Sequence, residues 1–456
     1  MSDEYELDDS EYRDDADRAY AELLERIGES APQPRLGPTR RAVELLGDPQ
    51  RSYPVIHVTG TNGKTSTSRM IESILRAYGL RTGLVTSPHL VRPNERIVID
   101  GQPISNRGFA ENWADIRPYL ELVDSALAQS GEEPLTYFEA FTVLAFAAFA
   151  DAPVDVAVVE VGMGGEWDST NVADGQVAVF SPIALDHTQR LGSTIEQIAR
   201  TKSGIIKPVA TVVSAVQAPA ALAELERAVD LTESTLKVED TAFALESSTV
   251  AVGGQVISVR GLAGEYRDIF LPLYGSHQGH NAALAIAAVE SFLGEGTQAL
   301  VGDVLAEGLA TATSPGRLQL IGTEPSVLVD AAHNPHGAAA LAEALAAYFT
   351  FDEIAVVLGV LHDKDVDGII AALAPMATTF FVTQSGSDRA IAADELAGIV
   401  ARVAPEHPVQ AFENLEFAVQ DARVWAAQAP RRAVLVTGSI TLIGDVMALA
   451  TAEGWK

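Results

Sequence analysis

The stretch VIHVTGTNGKTSTSRM, Val55 to Met70, constrains the fold more than any other part of the chain. Val55–Thr59 reads as a buried strand. After Lys64 the apolar residues Met70, Ile71, Ile74, Leu75 and Tyr78 fall at helical spacing and stop at Gly79. Between them lies Gly60-Thr61-Asn62-Gly63. A strand, a glycine-bearing loop and a helix in that order turn backbone N–H groups and a helix N-terminus toward one point, where an anion is stabilised. Glycine permits the dihedral angles such a loop needs. The lysine brings a point charge to outer phosphates, and the hydroxyl after it can reach a metal. The widespread form G-x-x-x-x-G-K-S/T wants glycine at position 58, where this chain has Val58, so the outer glycine has moved to Gly60. The loop is read as a phosphate-binding variant made of Gly60, Thr61, Asn62, Gly63, Lys64, Thr65 and Ser66. The competing reading is a strand-to-helix turn with a solvent lysine.

The remaining pattern alternates strand-like and helix-like segments, which predicts an α/β chain. Gly83–Thr86, Arg96–Asp100, Val154–Val161 and Val177–Ser181 read as strands, and Phe138–Phe149 as a helix. VDVAVVEV is nearly unbroken in its apolar character, as in strands of a parallel sheet covered on both faces. Residues 236–273, with a Gly253-Gly254 turn, predict hairpins, and SHQGHNAALAIAAVESFL a helix. Thr313-Ser314-Pro315-Gly316 breaks the pattern like a hinge. Beyond it Val327–Ala331, Ile354–Leu358, Phe380–Thr383 and Ala433–Thr437 predict a second set of strands. The expected organisation is an acidic disordered tail over residues 1–18, a domain carrying the phosphate-type loop over 19–313 and a smaller α/β domain over 314–456.

With 62 acidic against 31 basic residues, the chain has a formal charge of −31. Such a chain is a poor partner for nucleic acid or an anionic membrane. Attraction for an anionic nucleotide must then be local, which screening beyond about 8 Å at physiological salt permits. There is no cysteine, so disulfides and thiolate metal sites are excluded. No apolar run reaches the length of a membrane span, and the acidic N-terminus lacks the features of a secretory signal. The expectation is a cytoplasmic monomer acting on small molecules.

The spelling GTNGKT resembles the ATP loop of the Mur ligase superfamily, whose members join an amino acid to a carboxylate. Further motifs narrow the resemblance. TSPHL (86–90) with NERI (94–97), VVEVGMGGEWDSTN (158–171), LDH (185–187), GSHQGHNA (275–282), SPGR (314–317), DAAHNP (330–335) and GVLHDKD (359–365) occur in the order of the folylpolyglutamate and dihydrofolate synthases. By physics alone each has a plainer reading: Ser87 caps a turn, Glu160 sits at a sheet rim, His187 is structural, Lys202 is a surface lysine and Arg317 a hinge spacer. The resemblance implies more. Ser87, Glu160 and His187 would bind Mg2+, and Lys202, if carbamylated, would hold a second Mg2+. Asn281 would lie near the base or ribose of ATP. Arg317 would reach the γ-phosphate from the hinge. Asp330 and His333 would face the nucleotide from the second domain, with His333 also meeting glutamate. Phe138, Asp168 and Ser169 would lie near the pterin. Lys64, His187, Lys202, Arg317 and His333 are the implied catalytic set.

The resemblance therefore implies a P-loop NTPase-like N-terminal domain with a mostly parallel sheet and a Rossmann-like glutamate ligase domain. The implied reaction is ATP-dependent addition of L-glutamate to dihydropteroate, to the glutamate tail of folate, or to both. Thr65 departs from the folate ligases, which often carry glycine there, and matches the muramyl peptide ligases. Thr201 and Ser203 flank Lys202 where those relatives carry glutamate and alanine, and Ala331 replaces a glycine. A muramyl-type amino acid ligase and an ATP-binding protein without ligase activity remain the alternatives.

Overall fold

The computed structural model describes residues 9–28, 31 and 33–455. Two sheets of parallel character lie in succession along the chain, each at the carboxyl ends of its strands facing the other. The first contains β1 (Val55–Thr59), β2 (Thr82–Val85), β3 (Ile97–Ile99), β4 (Gln102–Pro103), β5 (Val156–Glu160), β6 (Gly175–Phe180), β7 (Thr211–Ser214) and β8 (Thr235–Val238). Their order is β4-β3-β2-β5-β1-β6-β7-β8, parallel apart from the β2-β3-β4 pairings. The strand ahead of the phosphate-type loop is therefore central, flanked by β5 and β6.

That position follows from composition. β1 and β5 are buried at every residue, and such strands need cover on both faces. On one face Ile56, Val58, Val156 and Val158 pack against the helices Lys64–Ala77 and Ser276–Gly294. On the other, Val55, Ala157 and Val159 meet the helix Tyr137–Asp151, with Phe141, Phe146 and Phe149 in its core. β9 (Ala244–Ala251), β10 (Gly254–Arg260) and β11 (Glu265–Leu271) form an antiparallel meander that closes the first face.

The second sheet contains β12 (Gln319–Thr323), β13 (Ser326–Asp330), β14 (Glu353–Leu358), β15 (Thr379–Val382), β16 (Val409–Ala411) and β17 (Arg432–Thr437), ordered β12-β13-β17-β14-β15-β16. Only β12 runs antiparallel within it.

The predicted strands and long helices are present, with ends moved by at most two residues. The hairpins expected across 236–273 begin at β9, since β8 joins the parallel sheet beside β7. β12 and β16 were not predicted: they are short edge strands with no period-two apolar alternation, β12 half-buried and β16 mostly exposed. The disordered tail expected over residues 1–18 is corrected from residue 9 onward, and residues 1–8 lie outside the described residues. Arg13–Leu24 is a helix that buries Ala16, Ala19 and Leu23. Asp9 accepts a 2.5 Å hydrogen bond from the Asn106 amide, and Asp17 pairs with Arg92 at 2.9 Å. The acidic side chains that suggested disorder serve as outward or capping groups on an amphipathic helix.

Candidate active site

The loop after β1 enters the helix Lys64–Ala77 through Gly63, which has φ 89° and gives the helix no side-chain cap. Helix starts leave orphan N–H groups, and among the described residues no acceptor is bonded to the N–H groups of Gly63, Lys64, Thr65 or Ser66. The preceding turn is pinned instead: Thr61 N–H donates to the Pro182 carbonyl at 2.9 Å, and the Thr61 hydroxyl to the Ala184 carbonyl at 3.0 Å. Both glycines are required. A Cβ on Gly60 (φ 144°) would lie 2.8 Å from the Ser181 carbonyl oxygen, and one on Gly63 2.6 Å from Asn281 Oδ1.

This uncapped helix end opens into a cavity of about 1010 Å3 between the two sheets. Thr61, Asn62, Gly63, Lys64, Thr65 and Ser66 form one wall, with Ser87, Glu160 and His187 beside them. Asn281 lies on the helix that packs behind the loop. Arg317, Asp330 and His333 come from the second domain, and Phe138, Asp168 and Ser169 line the same cavity, as do Gln33 and Pro34. The structure thus gathers every residue singled out from the sequence except Gly60 and Lys202. Gly60 opens the loop, and Lys202 lies behind it, its Nζ donating to the Gly60 carbonyl at 2.6 Å.

Glu160 ends β5 and is 1 % exposed. Its carboxylate accepts the Thr65 hydroxyl at 2.9 and 3.1 Å, and among the described residues it has no ion-pair partner within 4 Å. Burial pushes its pKa up, while Lys64 and the Thr65 hydrogen bond act against that. Burial likewise pulls Lys64 down, opposed by Glu160 and Asp186. His187, in a left-handed conformation at φ 49°, is pulled down to about 3 by burial and by Lys364. It is therefore a neutral imidazole near pH 7, the form that binds metals. A buried unpaired carboxylate, the hydroxyls of Thr65 and Ser87 and a neutral imidazole form a donor set compatible with Mg2+. Among the described residues no cluster of three or more His, Asp or Glu offers a metal site of another kind.

From the second domain, Asp330 accepts the N–H groups of Leu318 (2.7 Å) and Ala332 (2.8 Å). It thereby holds the hinge around Arg317. Arg317 bonds only the Gly316 carbonyl, at 3.5 Å, and no carboxylate lies within 4 Å of it among the described residues. A cavity guanidinium with most of its donors free is suited to an anion. The plain sequence reading of Lys202 as a surface lysine is wrong. The side chain is 4 % exposed, and burial followed by the Lys64 charge pulls its pKa down to about 7.

Three features carried too little local signal to be assigned. Asp186 accepts Lys364 Nζ at 2.7 Å and Asn334 Nδ2 at 3.4 Å, with His333 Nε2 at 3.5 Å. Burial would raise its pKa, but His333 and Lys364 hold it well below the carboxylate range. Asn62 and Asn334 exchange amide contacts at 3.0 and 3.3 Å, joining the loop to the second domain. Glu239 meets His280 at 2.6 Å at the cavity end near Asn281. Each partner comes from a distant part of the chain.

The segment 58–289 matches the Mur ligase middle domain, and 316–440 the Mur ligase glutamate ligase domain. The dihydrofolate synthase/folylpolyglutamate synthase of Mycobacterium tuberculosis is 45% identical over 449 residues, covering 94% of this chain and 92% of that protein. The chain belongs to the folylpolyglutamate synthase family of Mur ligases. The Lacticaseibacillus casei folylpolyglutamate synthase is 36% identical, covering 91% of this chain and 95% of that one. Among solved structures, the M. tuberculosis folylpolyglutamate synthase complexed with ADP superposes with a TM-score of 0.91 at 44% identity, covering 96% and 99% of the two chains. E. coli FolC in complex with DHPP and ADP superposes with 0.83 at 29% identity, covering 96% and 98%. In this Mur ligase the cavity therefore lies where the two family domains meet. Among the described residues no helix is long and apolar enough to cross a membrane.

Proposed function

We propose that the chain is an ATP-dependent ligase that adds L-glutamate to dihydropteroate and to the glutamate tail of folates. Membership of the family supports ligation of glutamate to folates. The observation that carries the site assignment is the uncapped start of helix Lys64–Ala77, facing the unpaired Arg317 across a single cavity. Four orphan N–H groups, Lys64 and Arg317 form a polyanion site in an otherwise acidic molecule. Phe138, Asp168 and Ser169, which line the same cavity, supply an aromatic and a polar wall for a pterin.

A carboxylate is a poor electrophile until its oxygen becomes a good leaving group. In the first step the acceptor's carboxylate oxygen attacks the γ-phosphorus of ATP and ADP departs, leaving an acyl phosphate. In the second, the amine of L-glutamate attacks the acyl carbon, phosphate leaves, and the nitrogen gives up its proton. Lys64, the helix end and Arg317 spread the charge that develops on the transferring phosphoryl group. Asp330 keeps Arg317 on the cavity side of the hinge. His333 lies against the Ala331 carbonyl and Asp186, at the side from which the amino acid would enter. Closure between the domains keeps water from the acyl phosphate.

Glu160, Ser87 and His187 would hold Mg2+, which supplies charge neutralisation at the nucleotide phosphates. Lys202 is proposed as a site of carbamylation, since an amine with a pKa near 7 has a large neutral fraction to attack CO2, forming a carbamate and releasing a proton. Incubation with 13C-bicarbonate should give a carbamate resonance that Lys202→Met abolishes. A monomer in the cytoplasm, where ATP and folates meet, completes the reading.

The deciding experiment is ADP release with Mg-ATP and L-glutamate, comparing dihydropteroate, tetrahydrofolate and a UDP-muramyl acceptor. Release with both pterins is expected, and excess chelator should abolish it. Release with the muramyl acceptor alone would overturn the substrate assignment, and silence with all three would overturn the ligase reading.

A further inference from the structure

His57 lies in the middle of β1, wholly buried, three residues before the first loop glycine, Gly60. A histidine inside a parallel sheet is an expensive residue unless its ring has work to do. Its Nε2 is 2.9 Å from Thr170 Oγ1, and Thr170 Oγ1 is 2.5 Å from Asp168 Oδ1. A hydroxyl has one proton. Burial raises the Asp168 pKa, while hydrogen bonds from Thr170, Met163 and Gly162 favour its charged form; with the carboxylate ionised, Thr170 donates to it and must accept from His57, so His57 carries its proton on Nε2. Its Nδ1 is left with no partner among the described residues. An unmet acceptor at Nδ1 is thus accepted in exchange for a donor at Nε2. Burial holds the ring neutral, with a pKa of about 3.

The far end of the chain is a cavity residue. Asp168 Oδ1 accepts the Thr170 N–H at 3.0 Å as well as its hydroxyl, and Oδ2 accepts the Met163 N–H at 2.9 Å. Both oxygens are held from the protein side. The Gly162 N–H adds a further hydrogen bond to this carboxylate, and Asp168 lines the cavity together with Phe138 and Ser169.

We propose that His57 is a positioning residue for the pterin subsite: through Thr170 it fixes the plane of the Asp168 carboxylate, so that one oxygen is presented to a ring N–H donor of the acceptor substrate. The proposal rests on the reading of the Phe138–Asp168 wall as that subsite. It places a pterin determinant on the same strand that ends in the nucleotide loop.

Thr170→Val removes the hydroxyl at nearly constant volume, and His57→Phe removes the ring donor. Thr170→Ser keeps the hydroxyl, and His57→Gln keeps an N–H near the Nε2 position. Losing one hydrogen bond to a charged group should raise KM for the pterin acceptor roughly tenfold. KM for ATP should stay within about twofold. The Ser and Gln variants should return most of the loss. A Thr170→Val protein with unchanged pterin KM would overturn the relay. So would a rise in both KM values that tracks a fall in Tm, since that is the mark of a packing role. Asp168→Asn separates the two layers. If it raises pterin KM while Thr170→Val does not, the relay alone fails. If it leaves pterin KM unchanged, the subsite reading fails and the relay with it. In 15N-histidine spectra, the resonance lost in His57→Gln should show a neutral Nε2–H tautomer that does not titrate between pH 5 and 9. An Nδ1–H tautomer would refute the proposal even if His57→Phe cannot be purified.

Discussion

Lys64, Arg317 and Lys202 are three cations within one acidic protein, and their surroundings give them different work. Lys64 and Arg317 face the cavity without a close carboxylate partner among the described residues, so their charge is available to a bound anion. Arg317→Ala should lower kcat for ADP release by roughly a hundredfold or more, in the range typical of a lost transition-state charge contact. Loss of ATP affinity with kcat retained would contradict that role. Lys202 is buried and bonded to the Gly60 carbonyl, and its pKa near 7 makes it a pH-sensitive element of stability. Between pH 7 and 10.5 the unfolded lysine is protonated and the folded one is largely not. The unfolded state therefore binds more protons, and stability rises with pH across that window by up to about 1.4 kcal/mol per pH unit. In CO2-free buffer the wild-type Tm should climb from pH 7.5 to 9.5, while Lys202→Met should show a flatter profile. Parallel profiles would mean that the amine is charged in the folded protein. None of this was visible from position alone, since a lysine near a helix end ordinarily faces solvent.

The strand–loop–helix unit was the most legible element, because its signals are local: β-branched residues, two glycines, a lysine and a helical stripe. The structure adds why each glycine is irreplaceable. Gly63→Ala would place a methyl against Asn281 and force φ 89° on an L residue. The helix start and Asn281 would be displaced together, and ATP affinity should fall about tenfold or more at a strain cost of 1–3 kcal/mol. Isothermal titration with a non-hydrolysable ATP analogue reads this directly, and unchanged affinity would mean that the loop yields elsewhere. Other elements were illegible for equally physical reasons. β12 and β16 are short edge strands, half-buried and mostly exposed respectively, whose residues have no apolar alternation to report. The helix Arg13–Leu24 has small buried residues, Ala16 and Ala19, under a dense acidic face, a composition that resembles a solvated tail until a partner surface is known.

At the level of the whole molecule, two domains meet through polar contacts at the cavity itself. Lys364 from the second domain and Asp186 from the first are both largely buried, at 2.7 Å. Removing either one leaves a buried charge unpaired. Lys364→Met and Asp186→Asn should each lower kcat/KM for L-glutamate strongly. The double variant should be no worse than the poorer single, because neither group acts without the other. Additive losses in a double-mutant cycle would show that the two groups work independently. The sequence by itself determined the α/β class, the strand–loop–helix unit of the phosphate-type loop and a core set of residues that line the cavity. It could do so because these depend on short-range periodicity and on motifs of a few adjacent residues. Only the tertiary structure decided that Asp186 receives Lys364 and Asn334, that Asn62 is tied to Asn334, that Lys202 lies beneath the loop, and that His57 reaches Asp168 through Thr170. Those contacts join residues tens to hundreds of positions apart, and their energies arise from burial and partner geometry, which no local pattern of residues records.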